Sequence, residues 1–274
     1  MPFATAADGT RIHYELHEGL VPAHGDPVVL IQGLGLSSRF WFDIPRLLAD
    51  DVDRPRKVIT LDNRGTGTSD KPRGVYRMRR MADDVQAVLD ACSVKRAVIV
   101  GISMGGMIAM HFAIHHPDHA SGLVLLATTP GLPWGRLPTL HAIAALLYTP
   151  FVRGRRVRWV DRILLPEHAL DRAAQLFSRW PAAFRNDPIV PRVFFSQMLG
   201  AAAHSAGWKL GQVRCPTVVV AGADDIIFPP VNARRIARRI PNAVLEVLPG
   251  VAHAIPTLDE KVIHRALMTL EAMG

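Results

Sequence analysis

The chain has 274 residues, of which 49% are hydrophobic and 20% charged, a balance that excludes a disordered or fibrous protein and suffices for one α/β core with an insertion or for two ordinary domains. Thirty-two Lys and Arg against 24 Asp and Glu give a formal charge of +8, with clusters at Arg77, Arg79 and Arg80 and at Arg153, Arg155, Arg156 and Arg158. No aromatic interleaving or nucleic-acid-binding motif accompanies them, so a solvated cationic face is expected, with no nucleic-acid partner and membrane contact only a secondary expectation.

The N-terminal run from Met1 to Arg11 places Asp8 and Arg11 where a signal peptide needs an unbroken apolar segment, so a cytoplasmic protein is expected. No stretch reaches the ~18 apolar residues of a membrane span. Arg11 to Glu18 alternates as a half-exposed antiparallel strand does. Short apolar runs at Val28 to Ile31, Lys57 to Leu61, Ala97 to Val100, Gly122 to Leu126, Thr217 to Ala221 and Ala243 to Leu248 read as buried strands. Helical patterns lie between and after them at about Met81 to Cys92, Met104 to His116, Val231 to Arg239 and Glu260 to Ala272, with Pro117 and Pro241 as stops. That alternation predicts an α/β fold with a mostly parallel sheet covered on both faces. It breaks once, between Gly131 and about Gln212, where helical patterns and prolines continue without a buried strand. Residues 132–212 are therefore expected to form a helical cap inserted in a core made of residues 1–131 and 213–274. Cys92 and Cys215 are too few for a disulfide framework and lack metal-ligand spacing, so buried thiols are expected and no metal or cofactor.

The chemistry concentrates at Ala97 to Gly106, which reads strand, sharp turn, helix around Gly101-Ile102-Ser103-Met104-Gly105. Such a turn exposes a serine hydroxyl at the sheet edge, beside the unsatisfied N–H groups of a helix N-terminus. Ser103 is the candidate nucleophile. A serine needs a base, and twelve histidines compete. His111, His115, His116 and His119 follow the turn on its helix, facing away from the sheet edge. His141, His168 and His204 fall in the cap segment, and His13, His17 and His24 precede the core strands. His253 alone follows a late strand and a loop at the right edge, and is the candidate base. The orienting acid should end the strand between them, where Asp224 and Asp225 are both available. The oxyanion hole is expected from Met104 N–H and from Leu34 N–H in the loop Gln32-Gly33-Leu34-Gly35.

With these residues assembled, the sequence resembles the α/β-hydrolase superfamily from about Asp8 to the C-terminus, the cap excepted. Gln32 to Gly35 looks like the His-Gly-x-Gly oxyanion loop, and Asp62 to Ser69 like the Asp-x-Arg-Gly-x-Gly-x-Ser turn, in which Asp62 and Arg64 are structural. The segment Gly222 to Pro229 resembles the Gly-x-x-Asp-x-x-x-Pro acid motif, which selects Asp225. Two positions depart from the pattern: Gln32 stands for His, and no glycine immediately precedes the base. The resemblance implies an eight-stranded, mostly parallel sheet and a cofactor-free Ser-His-Asp enzyme. Ser103 argues against haloalkane dehalogenases and epoxide hydrolases, which carry Asp there. What remains is hydrolysis of an ester, lactone or thioester, or of a carbon-carbon bond. A cofactor-free haloperoxidase or perhydrolase, and a non-catalytic receptor on the same scaffold, are the alternatives. Phe40, Trp41 and Phe42, with Leu146 and Phe195 in the apolar cap runs, suggest a pocket for a lipophilic small molecule. Activity is expected to fall on acidification, because a protonated imidazole cannot act as base.

Overall fold

The apolar runs pair side by side in the computed structural model of the chain, which describes residues 2–151 and 158–273. Eight strands, β1 Phe3–Thr5, β2 Arg11–His17, β3 Val28–Ile31, β4 Val58–Leu61, β5 Ala97–Ile102, β6 Ala120–Leu126, β7 Thr217–Gly222 and β8 Ala243–Leu248, form one sheet in the order β1-β2-β4-β3-β5-β6-β7-β8. Strand β2 runs antiparallel to β1 and β4, and every later pairing is parallel. The eight-stranded, mostly parallel α/β fold expected from the sequence is thus present. Every residue of β3, β4, β5 and β7 is buried, as strands between two helical layers must be. The exception among the apolar runs is β8, the sheet edge, where no residue is fully buried.

The period of two divides each strand between two cores. Val29, Ile31, Ile59 and Ile99 face α2 Met78–Ala91 and α3 Met104–His115, while α9 Val231–Ala237 covers the β7 end of the same layer. Val28, Leu30, Val98 and Val124 face α1 Ile44–Ala49 and α11 Val262–Met273 on the other side. The short elements β1 and α1 have no counterpart in the sequence reading, because three and six residues are too few to display a period. Helix α2 starts earlier than the pattern suggests, at Met78, whose side chain is already core.

Between β6 and β7 lie α4 Leu140–Tyr148, α5 Arg158–Leu164, α6 Ala173–Leu176, α7 Trp180–Asn186 and α8 Pro191–Ala202, and the short α10 Ile255–Leu258 follows β8. Arg77, Arg79 and Arg80 are exposed, whereas Arg153, Arg155 and Arg156 lie outside the described residues. Cys215 is buried and Cys92 only partly so, both as free thiols. Among the described residues no helix is long and apolar enough to cross a membrane.

The turn expected to be structural is built as an anchor. The buried Asp62 accepts hydrogen bonds from the N–H of Ser38 (2.8 Å) and of Thr68 (3.0 Å), and its Oδ2 lies 3.0 Å from His13 Nδ1. Burial opposes ionisation of this carboxyl, but His13 and the two amides outweigh it and hold Asp62 below the ordinary carboxylate value. Arg64 forms a two-pronged pair with the buried Asp84, at 2.6 and 2.5 Å.

Candidate active site

Strand β5 ends against the first turn of α3, and Ser103 is the residue between them. Its φ of +56° and ψ of −118° lie where only glycine is at ease. The surroundings hold it there: Ser103 N–H donates to Leu126 O (2.9 Å), and Ser103 O accepts from Thr128 Oγ1 (2.7 Å) and Gly106 N–H (3.0 Å). A side chain at position 105 would collide with the Ile31 carbonyl, so the glycine there lets α3 pass directly beneath β3. Strain of this sort persists only when its neighbours over-determine it, and it aims the hydroxyl outward from the sheet edge.

His253 follows β8 in the loop that returns toward α10. Its Nδ1 lies 2.8 Å from Asp225 Oδ2, while Asp225 Oδ1 accepts the N–H groups of Ile227 (2.8 Å) and Phe228 (2.9 Å). A carboxylate only accepts, so Nδ1 presents its N–H to Asp225, and in the neutral imidazole this leaves the lone pair on Nε2. The Asp225 side chain is 0% exposed, whereas the neighbouring Asp224 is exposed. Of the two carboxylates left open by the residue pattern alone, the structure brings Asp225 to His253. Phe228 closes one side of the imidazole, with ring centroids 5.7 Å apart.

Ser103 and His253 open onto the same cavity, of about 1100 Å³ and mostly apolar lining, with Leu34 and Met104 in its wall beside them. The loop after β3 lies on the serine: the Cβ position of Gly33 is 3.3 Å from Ser103 Cβ. Gln32, where the resemblance leads one to expect His, turns its Oε1 back to accept Gly33 N–H at 3.0 Å. Met104 is the first residue of α3, so its N–H has no carbonyl partner within the helix.

Phe40 and Leu146 are in the cavity wall, but Trp41 and Phe195 are not. Trp41 is 1% exposed and packs with Val28, Leu30 and Leu48 in the core layer opposite α3, because adjacent residues of the tight turn Ser38–Trp41 face different ways. On α8, Phe194 takes the wall position and Phe195, rotated by one residue, meets Phe151 with centroids 6.2 Å apart. Among the wall residues that sequence reasoning missed are Phe177, Trp180 and Phe184. Trp180 and Phe184 hold Phe40 edge-on and tilted at 5.3 and 4.8 Å. Their spacing of three and four residues is a helical stripe, the signal that could have found them.

His204 is also in the wall and only 4% exposed. Its Nε2–H donates to Thr129 O, and its Nδ1 accepts from His111 Nε2–H, each at 3.1 Å. Burial pushes His204 down to about 3 and His111 down to about 4, from an ordinary value of 6.5. Both are neutral in the fold, yet in the unfolded chain both take a proton once the pH drops below 6.5. The unfolded state therefore binds more protons as the pH falls from 6.5 toward about 4, and stability drains at roughly 1.4 kcal/mol per unit for each fully shifted histidine. Melting temperature is expected to drop between about pH 7 and pH 4.5, and His111→Gln, which keeps a donor for His204, to make that slope shallower. An unchanged slope would assign the acid sensitivity to other groups. Among the described residues no cluster of three or more His, Cys, Asp or Glu is placed to hold a metal ion.

A parallel sheet with β2 folded back at one side, and a strained serine between a central strand and its helix, defines a protein of the α/β-hydrolase type. The chain belongs to the α/β-hydrolase fold family, whose model matches residues 26–258. It is 29% identical to a putative carbamate hydrolase, RutD, of Variovorax paradoxus (strain S110), over 94% of each chain. It is 27% identical to a poly(3-hydroxyalkanoate) depolymerase of Ectopseudomonas oleovorans, over 82% of this chain and 77% of that one. Among solved structures it resembles Est816, described as an N-acyl homoserine lactone degrading enzyme, with a TM-score of 0.78, 28% identity and coverage of 98% and 99% of the two chains.

Proposed function

We propose that the protein is a serine hydrolase that cleaves carboxylic esters, lactones or thioesters of lipophilic small molecules through an acyl-enzyme on Ser103. The observation that carries this reading is the joint opening of Ser103 and His253 onto a large apolar cavity, with His253 Nδ1 held by the buried Asp225. In the proposed mechanism His253 Nε2 removes the Ser103 proton as Oγ attacks the acyl carbonyl. The Leu34 and Met104 N–H groups stabilise the tetrahedral oxyanion, and His253 then protonates the leaving group. Water, activated by the same imidazole, releases the acid. Residues 132–212 act as the cap that encloses the lipophilic part of the substrate. The relatives support the reaction class, since a carbamate, a polyhydroxyalkanoate and an N-acyl homoserine lactone each present an acyl carbonyl to attack.

A series of p-nitrophenyl esters tests the proposal. Each methylene buried in the cavity contributes roughly 0.8 kcal/mol, up to about fourfold in kcat/KM, so activity is expected to rise from acetate through hexanoate and beyond. Preference for acetate would remove the cavity as the acyl site, and failure to hydrolyse any ester or thioester would remove the reaction.

A further inference from the structure

Helix α8 belongs to the segment that covers the cavity, yet it is seated like a core helix: Val193 and Phe194 are buried, and Tyr76 N–H donates to Ser196 O at 3.2 Å. On its buried face sits one amide, Gln197, at 0% exposure. An amide sealed from water is costly unless both its ends are bonded. Both are: Gln197 Nε2 donates to Arg64 O at 3.1 Å, and Oε1 accepts Gly35 N–H at 2.9 Å.

The second bond reaches the loop that lies on Ser103. In that loop Gly33 N–H is held by Gln32 Oε1, Leu36 N–H donates to Gly33 O at 3.4 Å, and Gly35 N–H is held by Gln197. Leu34 N–H, between two held amides, has no protein partner among the described residues. Gly35 has φ +74°, and the Phe194 ring of α8 comes to 2.8 Å from its Cβ position, so the same helix that supplies the acceptor also occupies the space above the turn. Farther along, Asp187, which ends α7, accepts from Ser37 Oγ at 2.6 Å and pairs with Arg39 Nε at 3.0 Å. The covering segment thus grips the loop at successive points.

We propose that Gln197 is a positioning residue for the oxyanion loop: by accepting Gly35 N–H from a helix anchored on the core, it fixes the turn so that Leu34 N–H is directed at the carbonyl oxygen under attack. This rests on the reading of Ser103 as nucleophile. Oxyanion donors work because they are aimed before the charge develops, and the loss of one slows catalysis by about 100- to 1000-fold. A donor retained but loosely aimed loses less.

The test uses the whole chain and measures labelling of Ser103 by a fluorophosphonate, ester turnover and the melting temperature. Gln197→Met keeps the side-chain volume and removes both hydrogen bonds. It is expected to slow labelling and kcat together by about 10- to 100-fold with KM within about threefold of the parent. Gln197→Glu keeps an acceptor for Gly35 N–H and, as the ionised carboxylate, has no donor for Arg64 O; it is expected to label within about fivefold of the parental rate. Parental labelling in folded Gln197→Met overturns the inference. So does slowing of Gln197→Glu to the level of Gln197→Met, which would place the effect on the Arg64 anchorage. If Gln197→Met does not fold, Gln197→Leu, which likewise offers Gly35 N–H no acceptor, takes its place and is read by the same outcomes. Absence of Ser103 labelling in the parent protein overturns the underlying reading together with the inference, whereas labelling of the parent with an indifferent Gln197 overturns the inference only.

Discussion

Ser103→Ala is expected to lower ester turnover by about six orders of magnitude, or to the assay floor, and to abolish fluorophosphonate labelling, since removing the nucleophile of such a triad costs nearly as much as removing all three residues. The fold should survive. The Ser103 backbone is held by its N–H and C=O, through Leu126 O, Gly106 N–H and Thr128 Oγ1, and alanine keeps all of these bonds. The positive φ is strained for both residues, so the difference between them is small. A melting temperature within a few degrees of the parent, together with lost turnover, would separate chemistry from stability. Turnover retained in Ser103→Ala would end the assignment.

The elements that carry the site were readable because each obeys a local rule. Strands β3 and β8 occupy the residues their apolar runs delimit, and the serine turn is marked by a strand, flanking glycines and a helix in immediate succession. Ser103, Asp225 and His253 each follow the C-terminal end of a parallel strand, so strand order alone carries them to one sheet edge. What depends on rotation within a short irregular element was not readable. Phe40 and Trp41 are neighbours in one turn, and only the packed core decides that Trp41 is inside and Phe40 on the cavity. Phe194 and Phe195 divide in the same way. The choice between Asp224 and Asp225 needed a motif, because its physical cause, the two amides of Ile227 and Phe228 converging on one carboxylate oxygen, arises from the loop after β7. Gln197 carried no sequence signal at all. An amide in an apolar helical run gains its meaning only when the loops after β3 and β4 arrive beside it.

Those converging amides make Asp225→Asn an informative substitution. Asp225 Oδ1 accepts from Ile227 and Phe228, so an asparagine at this position must keep its oxygen there and turn its NH₂ toward His253. An NH₂ can only donate. His253 Nδ1 must then offer a lone pair, and the ring proton moves to Nε2, the atom that receives the serine proton in the proposed mechanism. The wrong tautomer is expected to lower kcat by about 10⁴-fold while ester binding changes little. Stability should change modestly, because every hydrogen bond is remade with reversed polarity at one contact. Asp225→Ala differs, since it leaves two buried amides without an acceptor at about 1–3 kcal/mol each and should lower the melting temperature as well as the rate. Asp224→Asn is the control: its side chain is exposed, and activity should stay close to the parent. If Asp225→Asn kept more than about a tenth of the parental kcat, the carboxylate would not be setting the tautomer of His253, and the base would have to be oriented by something other than the contact seen at 2.8 Å.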